Sequence, residues 1–165
     1  MTISHANPLC CPTLAPGGSP GASIDGSFDY GDQVGVGNAV KASGISHKDI
    51  FMTSKVSLVG YNETFAEIKQ LLSDLQMDCV DLLLIHWPGK QSQMSSSTDP
   101  ACQGNPPTWR GCRQSVWKAL EELFNSGKAL AIGVSNFEKN HLEDILSLKS
   151  TVPSVNQLEV EYHPY

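Results

Sequence analysis

The stretch Val80-Asp81-Leu82-Leu83-Leu84-Ile85-His86-Trp87-Pro88 is apolar almost without a break, and its apolar run ends on an imidazole. A strand with one solvated face alternates apolar and polar residues. A run this continuous reads instead as a short strand buried on both faces, as in a parallel sheet. Ile50-Phe51-Met52-Thr53, Ala129-Leu130-Ala131-Ile132-Gly133-Val134 and Val152 to Val155 have the same character, and Ala22-Ser23-Ile24 is a weaker case.

Between these runs the apolar residues recur at helical spacing. Phe65, Ile68, Leu71, Leu72 and Leu75 form one stripe, with Asn62 expected to cap it. Val116, Leu120, Leu123 and Phe124 form another, which Gly127 should stop just before a strand. Leu142, Ile145 and Leu146 form a shorter one, and a helix from about Gln33 to Ala42, ending near Gly44, turns Val36 and Val40 inward. Strand, helix, strand, helix is the pattern of a parallel α/β sheet. Residues 1–22 hold four Pro and three Gly without any period and read as a flexible tail. Residues 23–165 then form one unit, interrupted by a long polar loop over 88–114 that follows a strand.

Composition narrows the function. The 165 residues are 40% hydrophobic, enough for one domain with a sizeable core, and carry a formal net charge of −6. An acidic chain with scattered Lys and Arg has no footprint for nucleic acid or for an anionic membrane. No apolar stretch approaches the roughly 18 residues of a membrane span, and no secretory signal is evident, so a soluble cytoplasmic protein is expected. The five cysteines form no C-x-x-C pair, so no metal site is expected. Cys79 reads as a small buried hydrophobe. Cys102 and Cys112 share the long loop and would bridge only in an oxidising compartment, so thiols are expected.

Polar residues stand where apolar strands end. Asp25 follows Ile24, Lys55 follows the Phe51 strand, and His86 follows Ile85. Ser135 and Asn136 follow Val134, and Asn156 and Gln157 follow Val155. In a parallel sheet all carboxyl ends lie on one face, and in a (β/α)8 barrel that face carries the active site. Taken singly these are ordinary loop or capping residues, and Ser135 and Asn136 could simply cap the next helix. Together they point to one pocket. Gly31-Asp32-Gln33-Val34-Gly35-Val36-Gly37 lacks the order of the dinucleotide fingerprint and reads as a turn entering a helix, which disfavours a Rossmann dehydrogenase.

Several strings, taken in order, resemble the aldo-keto reductases. Ile24-Asp25 with Tyr30-Gly31 is similar to I-D-T-A-x-x-Y-G, and Met52-Thr53-Ser54-Lys55 to T-T-K. Asp81 to Pro88 is a near-verbatim D-L-Y-L-I-H-W-P. Gly133-Val134-Ser135-Asn136-Phe137 matches G-V-S-N-F. Val155-Asn156-Gln157 with His163-Pro164-Tyr165 resembles V-N-Q-x-E-x-H-P-Y. The resemblance covers about residues 22–165. It implies an incomplete parallel (β/α)8 TIM barrel of about five of the eight strands.

It further implies reduction of a small carbonyl substrate, aldehyde or ketone, with NADP(H) in preference to NAD(H) and no metal. Carried over by motif, the catalytic group is Tyr30, Lys55, Asp25 and His86. Ser135, Asn136 and Gln157 would hold the nicotinamide carboxamide, and Trp87 would touch the substrate. A free phenol keeps its proton to about pH 10, so Tyr30 as proton donor needs a neighbouring cation, supplied by Lys55 and held by Asp25. His86 would orient the substrate oxygen.

The chain also departs from the family pattern. Val56-Ser57 stands where Leu-Trp is usual, no Gly-rich first strand is recognisable in residues 1–21, and two extra residues precede His163. The family's last strands and phosphate-gripping segments would lie beyond Tyr165. An open sheet with two edges and impaired activity follow as expectations. The alternative is a non-catalytic truncated barrel that binds or regulates, or a degenerate fragment. The sequence leaves the oligomeric state open.

Overall fold

The computed structural model of the chain describes residues 21–89, 97–103 and 109–158. The N-terminal stretch expected to be flexible lies outside the described residues as far as residue 20, as does His163-Pro164-Tyr165. Five strands form one sheet: β1 (Ala22–Asp25), β2 (Ile50–Val56), β3 (Val80–Ile85), β4 (Ala129–Ser135) and β5 (Asn156–Gln157). Their order follows the sequence and every pair is parallel. Helices α1 (Gln33–Ser43), α2 (Tyr61–Leu75), α3 (Arg110–Asn125) and α4 (Lys139–Leu146) connect them. The result is a curled half-barrel: the parallel α/β sheet expected from the strand runs, and the incomplete barrel that the family resemblance implied.

Strand register separates two faces. Thr53 pairs with Leu82, Lys55 with Leu84, and Leu84 with Gly133. By alternation Thr53, Lys55, Leu82, Leu84, Gly133 and Ser135 share one face. The other face carries Met52, Val56, Leu83, Ile85, Ile132 and Val134, which join one buried cluster with Ile68, Leu71 and Leu75 of α2 and Val116, Trp117 and Leu120 of α3. All of β3 is buried, as its continuous apolar run requires.

Some boundaries move. The run Val152 to Val155 is not a strand: β5 is the next two residues, and Val152 and Val155 are exposed. Ser154 N–H still donates to Ile132 O (2.9 Å) and Val134 N–H to Val155 O (2.9 Å), so the segment runs beside β4 before the ladder becomes regular. Asn62 lies inside α2, whose cap is Gly60 at φ 113°; Asp99, distant in sequence, accepts from Tyr61 N–H (2.9 Å) and does the capping. In α1 the buried positions are Gln33 and Gly37, with Val36 and Val40 only half-buried, because the α2 backbone comes too close at Gly37 for a side chain.

The long loop is also shorter than expected. Its described parts contain a 3-10 turn, Pro100–Cys102, and α3 begins at Arg110 because Cys112 extends the buried Val116, Leu120 and Leu123 stripe by one turn. Cys102 and Cys112 are not thiols but a disulfide, their Cα atoms 4.5 Å apart. With Cys112 on the helix, that turn and the helix start lie side by side. Cys79 is buried as expected and is also disulfide-bonded.

Candidate active site

All eight residues that the resemblance assigns to the site meet at one place, while Asn156, also at a strand end, turns to the Phe137 backbone. Asp25, Tyr30, Lys55, His86, Trp87, Ser135, Asn136 and Gln157, with Leu158, line a cavity of about 220 Å³ at the carboxyl ends of the strands. A larger cavity of about 530 Å³ lies among Phe65, Ile68 and Leu72 of α2, Met77 and Leu123. Its lining is mainly apolar, with Lys69, Asp78, Ser126 and Lys128 beside the apolar side chains, and it holds none of the residues picked out from the sequence, so the smaller one is the candidate. At 220 Å³ it falls below the roughly 300–1,000 Å³ of pockets that enclose a drug-sized ligand.

Lys55 is 2% exposed, and a buried ammonium needs partners. Its Nζ donates to Asp25 Oδ1 at 2.6 Å and to Gly26 O at 3.1 Å, and lies 5.4 Å from the centroid of the Tyr30 ring. Asp25 ends β1, level with Thr53, and Lys55 is two residues further along β2 on the same face. That offset is what lets the long side chain reach its carboxylate. Asp25 Oδ2 also accepts from Gln157 Nε2 (3.0 Å), which ties β1 to β5 across the mouth of the curl.

Tyr30 ends the 3-10 turn Phe28–Tyr30, which Gly31 closes at φ 69°, a backbone angle that favours glycine. Tyr30 is 53% exposed, and its ring stands edge-on to His86, with centroids 5.6 Å apart. His86 follows β3 and is held on every side. Its N–H donates to Val56 O (2.9 Å), and its carbonyl accepts from Asn136 Nδ2 (3.0 Å). Its ring Nδ1 lies 2.8 Å from Asp29 Oδ2 and 3.0 Å from Ser27 Oγ. Trp87 stands next to it, ring centroids 6.0 Å apart.

Ser135 and Asn136 do not cap α4, since Glu138 and His141 form a capping box there. Ser135 Oγ donates to Gln157 O (2.9 Å). Asn136 adopts φ 61°, a left-handed angle that Asn tolerates, and so turns its amide back toward the His86 carbonyl.

A second layer was not picked out from the sequence. The His86 hydrogen bond holds the Asp29 carboxyl below its usual range, against the opposing effect of burial. Ser57 Oγ donates to Asp29 Oδ1 (2.7 Å), and Ser57 N–H donates to Glu67 Oε2 (2.9 Å). Burial pushes the Glu67 carboxyl up to about 7, with the Ser57 bond working in the other direction. The one available signal was Ser57 itself, a small polar residue where the family pattern has an aromatic. It now faces the carboxylate of Asp29.

Residues 29–165 match the family model described as the aldo/keto reductase family. A glyoxal reductase of Bacillus subtilis (strain 168) is 40% identical over 144 residues, covering 86% of this chain and 44% of that protein. Among solved structures, an aldo/keto reductase from Brucella melitensis superposes with a TM-score of 0.69 at 34% identity, covering 84% of this chain and 48% of the other. A Bombyx mori aldo-keto reductase in complex with NADP gives 0.66 at 26% identity, covering 84% and 43%. The chain spans about half the length of the relatives it matches.

Proposed function

This chain belongs to the aldo/keto reductase family, and on that premise we propose that its site reduces a small aldehyde or ketone to the alcohol with NADP(H) as hydride donor. The observation that carries the reading is the assembly of Tyr30, Lys55, Asp25 and His86 in one cavity at the carboxyl ends of the strands. Fold alone would serve many chemistries. A phenol, a buried ammonium and an imidazole around one space suit the protonation of an oxygen.

Bound NADP(H) supplies the hydride that reaches the carbonyl carbon. As the C=O π bond opens, the oxygen takes the proton of the Tyr30 hydroxyl. The Lys55 ammonium stabilises the phenolate left behind, Asp25 keeps Lys55 in place, and His86 orients the oxygen before transfer. Trp87 walls the substrate side. The residues proposed for the cofactor suit a carboxamide: among the described residues the side-chain oxygens of Asn136 and Gln157 accept no hydrogen bond, while Asn136 Nδ2 donates to His86 O and Ser135 Oγ and Gln157 Nε2 to Asp25 Oδ2. Ser135, Asn136 and Gln157 would therefore fix which face of the ring meets the substrate. A non-catalytic role finds no support in this arrangement, which keeps the whole group together.

The test is carbonyl-dependent loss of NADPH absorbance with the wild type and with Tyr30→Phe. Turnover in the wild type and a loss of at least about 100-fold in the variant are expected. Equal turnover in both would sink the mechanism. Because Tyr30 is largely exposed, the variant should fold as the wild type does.

A further inference from the structure

We propose that Asp29 is a positioning residue for His86: its carboxylate fixes the imidazole proton on Nδ1 and leaves Nε2 as the nitrogen offered to the substrate oxygen. The consequence for turnover rests on the reductase reading; the assignment itself rests on geometry. Asp29 Oδ2 lies 2.8 Å from His86 Nδ1. A carboxylate can only accept, so the nitrogen facing it must carry the hydrogen. Asp29 is itself oriented, its other oxygen taken by Ser57 Oγ at 2.7 Å. Ser57 is anchored in turn to α2 through its N–H and Glu67. Turning the His86 ring over would take Nδ1 away from both Asp29 and the fully buried Ser27 hydroxyl, while the backbone of His86 stays pinned by Val56 and Asn136.

The titratable groups around this ring are Asp29 and Tyr30 from the 3-10 turn, Lys55 of β2, itself paired with Asp25, and Glu67 of α2 behind Ser57. Of these only Asp29 touches a ring nitrogen. A neutral His86 with its proton on Nδ1 has a bare Nε2 and can only accept. It donates to a substrate oxygen only as imidazolium, with Asp29 balancing the charge.

The first readout does not depend on turnover. Histidine is labelled with ¹⁵N in the protein expressed from its complete coding sequence, and the tautomer of neutral His86 is read by NMR. The wild type should carry the proton on Nδ1. Asp29→Leu should move it to Nε2, because the Ser27 hydroxyl is then free to donate to Nδ1. A wild-type proton on Nε2, or an unchanged tautomer in Asp29→Leu, overturns the proposal. The wild-type spectrum decides even if the variant fails to fold.

The second readout is kinetic. Asp29→Leu should lower kcat by about tenfold or more with the KM for NADPH unchanged, and Asp29→Glu should recover part of the loss. An unchanged kcat beside a switched tautomer overturns the positioning role. If the wild type reduces no carbonyl, the reductase reading fails and the tautomer alone decides for or against Asp29.

Discussion

Lys55 Nζ stands 5.4 Å from the centroid of the Tyr30 ring. The contact is made by a nearly inaccessible ammonium on a strand and a phenol on an exposed turn, so the cation is fixed and the phenol is what meets solvent. Lys55→Met tests what this proximity does. The variant keeps an unbranched side chain one atom shorter and removes the charge. Turnover is expected to fall about 10²–10⁴-fold, the range for losing a positioned acid–base system.

Stability should not follow activity in that variant. Removing one partner of an ion pair destabilises where it strands the other charge in the interior, but Asp25 keeps its Gln157 partner and a half-exposed carboxylate, and the buried ammonium is gone. The melting temperature of Lys55→Met should therefore equal or exceed that of the wild type. A parallel collapse of turnover and melting temperature would assign Lys55 to structure and not to chemistry.

The parts of the fold that were legible in the sequence are those where one local pattern suffices. The continuous apolar run gave β3 its bounds, Val80–Ile85, without error. Asp25, Lys55, His86, Ser135 and Gln157 could be placed on one face because strand ends in a parallel sheet share a face. What escaped depends on contacts between distant residues. The cap of α2 comes from Asp99, the partner of His86 from Asp29, and the end of the long loop from a disulfide and a buried helical stripe. Val152 to Val155 misled because an apolar run can lie beside a strand while two of its side chains face outward.

Glu67 predicts a pH dependence of stability. Its carboxyl titrates near 7 in the fold against an ordinary 4.5, so the folded state holds the proton more tightly. Its contribution is then full below the unfolded value and is lost as pH rises toward the folded one. Glu67→Gln keeps an oxygen for the Ser57 N–H and cannot ionise. It should match the wild type near pH 4.5 and exceed it by roughly 1–3 kcal/mol near pH 8, read from urea midpoints. Curves that run parallel across this window would exclude a charge-dependent cost at Glu67.

The Cys102–Cys112 disulfide closes a separation of 10 residues and holds the turn that carries Asp99. Asp99 caps α2 through Tyr61 and accepts from Ser115, so the bridge braces the start of two helices. In the chain-entropy account a loop this short contributes about 2–3 kcal/mol. Cys102→Ser should lower the denaturant midpoint accordingly, and reductant should shift the wild type further than the variant, which keeps only the Cys79 bridge. A wild type indifferent to reductant would mean that the bridge does not brace the fold.

Gly133 links packing to the site. A Cβ built there would meet Val155 O at 2.6 Å, Leu84 Cδ2 at 2.8 Å and Val155 N at 3.2 Å. Leu84 is fully buried and Val155 contributes backbone, so neither can withdraw without moving the segment that leads into β5. Gly133→Ala should cost about 1–3 kcal/mol, as other overpacked sites do. Displacing that segment would also weaken the bonds Val134 N–H to Val155 O and Asn136 N–H to Gln157 O, and with them the hold of Gln157 on Asp25. A raised KM for NADPH should therefore accompany the lost stability. Gly35→Ala is the control. It sits in α1 with nothing within 4 Å of the added carbon, and the change should stabilise the protein by about 0.5–1 kcal/mol with KM unmoved. If Gly133→Ala behaves like Gly35→Ala, the approach of Val155 does not constrain this strand and Gln157 is placed by other contacts.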